Sequence, residues 1–167
     1  NMATALLISR DDLVKYTATN GNVDTDNFIQ FVLIAQDIHI QRILGSKLYH
    51  VIQSKISGGT LSGDYLDLVN NYVKKMLIHW SMVEYLPFAA YQINNKGIFK
   101  HNSENAITPD KVEVDYLVEK ERTIAESYTQ RFIDYICFNT SKFPEYNQNT
   151  NGDVHPDSNN FTGGWNI

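Results

Sequence analysis

From Leu66 onward, apolar side chains recur at three- and four-residue steps through Val69, Val73, Met76, Trp80, Val83 and Pro87. That spacing follows the period of an α-helix, about 3.6 residues, and does not suit a strand, whose faces alternate every second residue. It predicts a helix from about Asp64 to Asn94 and makes helix-on-helix packing the frame for the rest of the chain. Pro87 falls inside the pattern, and helix-forming residues resume after it in "FAAYQI", so a kink rather than an end is expected there.

The flanking segments repeat the theme. Ser9 followed by Asp12 is a capping-box-like start for a short helix at about Arg10–Tyr16. After the turn-rich "TATNGNVD", Asp24 or Thr25 can cap a helix over about 26–44, with Asp26 favourable near its positive end. Phe28, Val32, Ala35 and His39 share one face of that helix, and Ile29, Leu33, Ile40, Ile43 and Leu44 cover a neighbouring one. The apolar arc is wider than a surface helix needs, which predicts burial from two sides, by the chain itself or by a partner. Gly45 suits its end. "SKLYHVIQSKI" continues as a helix packing through Leu48, Ile52 and Ile56, and "SGGTLSG" then links to the long helix. Asp110 opens a last helix over about 110–139, with Val114, Leu117, Ile124, Tyr128, Phe132 and Ile136 as its apolar stripe. The fold class is therefore all-α, with four to five helices. Residues 94–109 form an excursion whose Ile98–Lys100 and Ala106–Thr108 can pair as a small hairpin. The helical domain is expected over 1–140 and an extended C-terminal arm over 141–167.

Charge and chemistry narrow the function. A net charge of −5 argues against a dedicated nucleic-acid binder, though not against DNA passing nearby. The single cysteine, Cys137, excludes an intramolecular disulfide, and its position beside Ile133 and Ile136 predicts a buried thiol. No apolar run is long enough to cross a membrane, and the opening "NMATALLISRDD" does not read as a signal peptide. His39, His50, His79 and His101 lack the spacing of a metal motif, so no metal or cofactor is expected. "DTDNF" lacks the glycine and distal glutamate of a calcium loop, and "SGGTLSG" lacks the Gly-Lys-Ser/Thr of a phosphate loop. Glu119, Glu121, Arg122 and Glu126 read as a solvated helix face. No enzymatic constellation stands out, and no catalytic residue is assigned. A distributed site would need His39, His79 and a carboxylate such as Glu84 to meet in a deep polar pocket.

What stands out is surface. Candidate partner contacts are Ile98 and Phe99 in the excursion and Phe143, Tyr146, Phe161, Trp165 and Ile167 along the arm. With the wide arc of 26–44, they favour a protein that completes its structure in an assembly. A monomeric or dimeric helical protein-binding or regulatory module is the alternative.

The order of elements resembles a known family. "LLISRDDLVKYT", a loop, "DTDNFIQFVLIAQDIHIQRILGSKLY" and "DYLDLVNNYVKKMLIHWSMVEYLPFAAY" are similar to the head–tail connector (adaptor) proteins of tailed bacteriophages, over roughly residues 6–93. The asparagine- and aromatic-rich style looks like connectors from crAss-like phages of gut Bacteroidetes. The resemblance implies a non-enzymatic virion protein, assembled in the host bacterial cytoplasm and located at the neck. It implies a homo-oligomeric ring, commonly of twelve subunits, under the portal protein. Such a ring extends the channel for double-stranded DNA without binding it specifically, and docks the next neck or tail component. The 94–109 excursion and the long arm depart from shorter members of that family.

Overall fold

The computed structural model describes residues 4–19, 23–99, 110–150 and 152–158, with the side chains of 17–19 and 92–99 outside that description. The chain is all-α, and among the described residues there is no strand. In order come α1 (Arg10–Thr19), α2 (Thr25–Ala35), a π turn (Gln36–Ile40), α3 (Gln41–Leu44), α4 (Ser46–Ser57), α5 (Gly63–Leu68), a second π turn (Val69–Val73), α6 (Lys74–Phe99) and α7 (Lys111–Phe138). Two 3-10 turns, Thr140–Lys142 and Pro144–Asn147, follow. Each π turn joins its flanking helices without a break, so five continuous helices run through the described residues.

The helix starts follow local hydrogen bonding. Asp12 N donates to Ser9 Oγ at 3.1 Å, Asp26 N donates to Asp24 Oδ1 at 3.0 Å, and Asp110 N donates to the Glu113 carboxylate at 3.3 Å. Each satisfies an amide that the helix itself leaves unpaired. At Pro87 the helix continues without an end. It runs on through Phe99, so Ile98 and Phe99 lie in the last turn of α6 and not in a hairpin strand. The rest of the expected hairpin, residues 100–109, lies outside the described residues.

α6 lies between α2 and α7. Against α2 it sets Tyr85 edge-on to Phe28, with centroids 5.4 Å apart, and Phe88 beside Phe31 at 5.0 Å. Against α7, which runs antiparallel, Trp80 Nε1 donates to Thr129 Oγ1 at 2.9 Å, and Tyr72 of the preceding π turn stacks on Tyr135 at 4.4 Å. The buried indole thus keeps its N–H satisfied, and Thr129 hands its own proton to Ala125 O.

The first π turn decides how the wide arc is used. A π turn holds an extra residue, so it shifts the phase of the helix. Ala35, Gln36, His39 and Ile40 all turn inward, and Ile43 and Leu44 follow them into the core. Most of the arc is therefore buried within the chain. Buried Gln36 is satisfied by the N-terminal segment: its Oε1 accepts from Leu7 N at 2.8 Å and its Nε2 donates to Ala5 O at 3.1 Å.

Three sequence expectations change here. Leu66 and Pro87 are exposed, and the core face of the long helix is carried by Leu68, Val69, Val73, Met76, Leu77, Trp80 and Val83. On α7, Leu117 and Ile124 face outward, while Ala125, Thr129, Phe132, Ile133 and Ile136 face the core. Cys137 is exposed, because it lies about 100° round the helix from buried Ile136.

The largest correction concerns the end of the chain. Phe143 is completely buried and Tyr146 is 4% exposed, so both belong to this chain's own core and not to a partner-facing arm. Phe143 meets Tyr65 edge-on at 5.3 Å, and the Tyr65 hydroxyl donates to Glu145 Oε2 at 2.6 Å. Beyond them, residues 152–158 strap the corner between α3 and α4. Ser46 N donates to Val154 O at 2.9 Å, Val154 N donates to Ser46 Oγ at 3.0 Å, and Asp157 N donates to Arg42 O at 2.9 Å. The strap therefore supplies a partner to a start-of-helix amide of α4 and an end-of-helix carbonyl of α3. The packed domain reaches at least residue 158, well past the expected boundary at 140.

Gly45 makes that corner possible. Its φ is +78°, and a Cβ placed on it would sit 2.8 Å from the Pro156 ring. Gly45→Ala is expected to lower stability by about 1–3 kcal/mol, from the left-handed backbone and the displaced strap. Urea denaturation checks it; an unchanged midpoint would show that the strap yields freely.

Candidate functional site

Two long-range histidine–carboxylate contacts lie among the packed helices. His39, on the first π turn, meets Glu84 of α6 through Nε2 at 2.9 Å. Its ring stacks on Trp80 with centroids 4.2 Å apart. His79 meets Glu121 of α7 through Nδ1 at 2.7 Å and stacks on Tyr128 at 5.4 Å. The histidines are thus paired, but separately. None of these four residues lines the clefts described below, so the deep shared pocket that a distributed catalytic site requires is not among them.

His39 is held neutral by its surroundings. Burial pushes its imidazole below the usual histidine range, and Glu84 opposes that only in part. With the carboxylate as acceptor, Nε2 carries the proton, and buried Nδ1 has no hydrogen-bond partner. Protonating Nδ1 would bury an unpaired N–H, which agrees with the direction of the shift. A histidine with a depressed folded pKa binds fewer protons than in the unfolded chain. Its contribution to stability is complete above about pH 6.5 and declines as pH falls from there toward its folded pKa. We expect denaturant midpoints of the parent to drop across that window, and His39→Gln to flatten the slope. An equal slope in both chains would place the pH dependence elsewhere.

Asp12 shows the opposite charge logic. Lys74 Nζ donates to its Oδ2 at 2.7 Å and Ser9 adds a further hydrogen bond, holding the carboxyl below the usual range. This contact fastens α1 to the start of α6. Tyr65 is pushed up by burial and by the Glu145 carboxylate that accepts its proton.

The exposed apolar residues fall into groups. Ile34 and Ile38, one helical turn apart, lie on the outer side of α2 and the π turn, with Ile38 52% exposed. Val112, Tyr116, Leu117 and Ile124 lie along α7, with Val112 71% exposed. Tyr91 is exposed on α6. At the other end of α7, Phe138 is 90% exposed at the rim of a cleft of about 630 Å3 shared with Tyr72, Lys75, Tyr128, Arg131 and Tyr135. Cys137 lines a separate cavity of about 310 Å3 with Tyr146, Asn149 and His155.

Of the candidate partner contacts named from sequence, the side chains of Ile98 and Phe99 and all of Phe161, Trp165 and Ile167 lie outside what the structure describes. Phe143 and Tyr146 are spent in the core. The sequence reading does not single out Ile34, Ile38, Val112 or Tyr116, and it places Leu117 and Ile124 on the core stripe, because each lies beside a stronger apolar stripe on the same helix. Ile34 and Ile38 carried a signal: they are apolar residues on the far side of the helix from Val32. Among the described residues there is no cluster of three or more potential metal ligands, and no helix long and apolar enough to cross a membrane.

The fold and these surfaces define an all-α protein built on an antiparallel helix pair, with exposed apolar residues on α2 and its π turn and on α7. The chain belongs to DUF6712, a family of unknown function, whose model matches residues 40–156 and so extends into the strap. No curated protein and no solved structure matches it.

Proposed function

We propose that the chain is a structural subunit that closes head-to-tail into a ring, and that this ring is the head–tail connector at the neck of a tailed bacteriophage. The observation that carries the ring is exposed apolar residues on two different helices that both pack against α6, Ile34 and Ile38 on α2 and its π turn and Val112, Tyr116, Leu117 and Ile124 on α7. A two-fold dimer needs one self-complementary patch, whereas a ring needs two different patches on each subunit. The connector assignment rests on the resemblance of residues 6–93 and on the acidic balance, which lets DNA pass a channel wall without adhering. In this reading the protein is not an enzyme. Its partners are its own copies, the portal protein and the next neck component.

Light scattering on the purified chain, with and without portal protein, tests the reading. A discrete multiple of the 19.1 kDa chain mass is expected, ring-shaped by negative-stain imaging. A strict monomer that also ignores portal would overturn it; a stable dimer would favour the regulatory-module alternative. Phe161 and Trp165 are proposed as further contacts, and replacing both by alanine is expected to weaken assembly.

A further inference from the structure

The cleft of about 630 Å3 at the end of α7 has a layered lining. One wall is the second π turn and the start of α6, and the other is the antiparallel α7. Tyr72 and Tyr135 stack across it at 4.4 Å and set the register. Lys75 lies about one turn after Tyr72, and Arg131 about one turn before Tyr135. The two cations therefore rise from opposite walls at one level. A turn further on, Tyr128 stacks on His79, and the Arg131 guanidinium lies 5.7 Å from the Tyr128 ring. A cationic layer is thus set between two aromatic ones, and Phe138 stands 90% exposed at the rim.

These cations are not used within the chain. Lys74, Arg42 and Lys142 each sit within 4 Å of a carboxylate. Lys75 and Arg131 form no ion pair with a described residue. Asp134, the carboxylate among the described lining residues, accepts from Gln130 Nε2 at 2.8 Å. In a chain of net charge −5 the cleft is a local excess of positive charge.

Cations between aromatic faces fit a carboxylate with a ring beside it: the carboxylate meets the cations and the ring stacks on the tyrosines. A nucleic-acid strand offers phosphate and base in the same way. It carries a charge at every nucleotide, however, which Asp134 and the acidic surroundings repel. A peptide can place its carboxylates only where the cations are. The exposed residues assigned to ring contacts, on α2 and over Val112–Ile124 of α7, do not line this cleft, which leaves it to a different protein.

We propose that the cleft docks a segment of a partner protein in which acidic and aromatic residues alternate. Lys75 and Arg131 hold its carboxylates, and Tyr72, Tyr135 and Phe138 hold its rings.

Calorimetry on the full chain tests it, with the acetylated and amidated peptide Asp-Phe-Glu-Phe-Asp as probe. One control, Asn-Phe-Gln-Phe-Asn, keeps the rings and loses the charge; the other, Asp-Ala-Glu-Ala-Asp, does the reverse. Saturable binding is expected for the probe, weakened by added salt, with each control about tenfold weaker or more. Lys75→Glu with Arg131→Glu should weaken the probe by about tenfold or more, and Phe138→Ala by roughly three- to tenfold. Lys120→Glu, outside the cleft, should leave the affinity within about twofold. All four side chains are exposed, so melting temperatures should stay near the parent's. Absence of saturable binding, an uncharged control as good as the probe, or indifference to the double charge reversal would overturn the proposal. Tighter binding of a thymidine oligonucleotide than of the probe would overturn it in favour of nucleic acid. Light scattering of the same samples reads the ring separately: probe binding by a strict monomer upholds the cleft alone, and assembly without probe binding upholds the ring alone.

Discussion

Chains carrying Ile34→Asp with Ile38→Asp are expected to be monomeric, and so are chains carrying Leu117→Asp with Ile124→Asp; mixed in equal amounts, they are expected to form a heterodimer. The reasoning is geometric. In a head-to-tail ring the α2 strip of one copy meets the α7 strip of the next. Breaking the α2 strip spares the α7 strip, and the reverse holds for the other variant, so the mixture retains one intact interface and cannot propagate it. Removing two buried isoleucine-sized contacts costs about 3–6 kcal/mol, equivalent to a factor of roughly 10²–10⁴ in dissociation constant. Burying an unpaired carboxylate in place of each adds to the loss. Light scattering on each variant and on the mixture reads the outcome. All four positions are at least a third exposed, so each variant should keep its helical circular dichroism. If the mixture stays monomeric while the parent assembles, the strips do not face each other and the interface lies elsewhere.

Phe143→Ala is expected to be among the most destabilising substitutions in the chain. The phenyl ring is completely buried, against Tyr65 and within reach of Tyr135. Truncating a buried phenylalanine to alanine costs about 3–5 kcal/mol. For a chain of this length that lowers the melting temperature by roughly 6–20 °C. Cutting the chain after Lys142 should do more, since it removes Phe143, Tyr146 and the strap over α3 and α4 together. A chain ending at Ser158 keeps every contact described above and serves as the control. If the chain ending at Lys142 melts with the control, the strap rests on the helices without supporting them.

The second prediction reverses an expectation drawn from sequence, and the cause is specific. Phe143 and Tyr146 follow the last helix in short 3-10 turns, where no periodicity marks an inward face. A helix of 28 residues reveals its apolar stripe by repetition; two aromatics in a turn reveal nothing about which way they point. The strap is less legible still. Val154 and Asp157 act through backbone groups, which carry no side-chain signal, and the groups they satisfy are more than a hundred residues earlier.

α7 shows the same limit within a helix. Its sequence offers more apolar residues than one stripe can hold, so period alone does not choose between Leu117 and Ile124 on one side and Ala125, Phe132 and Ile136 on another. Packing against α6 and the π turn before it makes the choice, through Thr129 meeting Trp80 and Tyr135 meeting Tyr72. The cleft at Lys75 and Arg131 was equally hidden, because its two walls come from segments far apart in sequence.

The sequence by itself determined that the chain is helical and where most of its helices begin, because periodicity and capping are decided among residues within a few positions of each other. Only the tertiary structure decided which apolar faces are consumed inside the chain and which are left outside. That choice depends on the phase shift at Gln36–Ile40 and on contacts such as Ser46 with Val154, which join residues far apart in sequence. Burial is a property of the whole packing arrangement, and no local window of residues contains it.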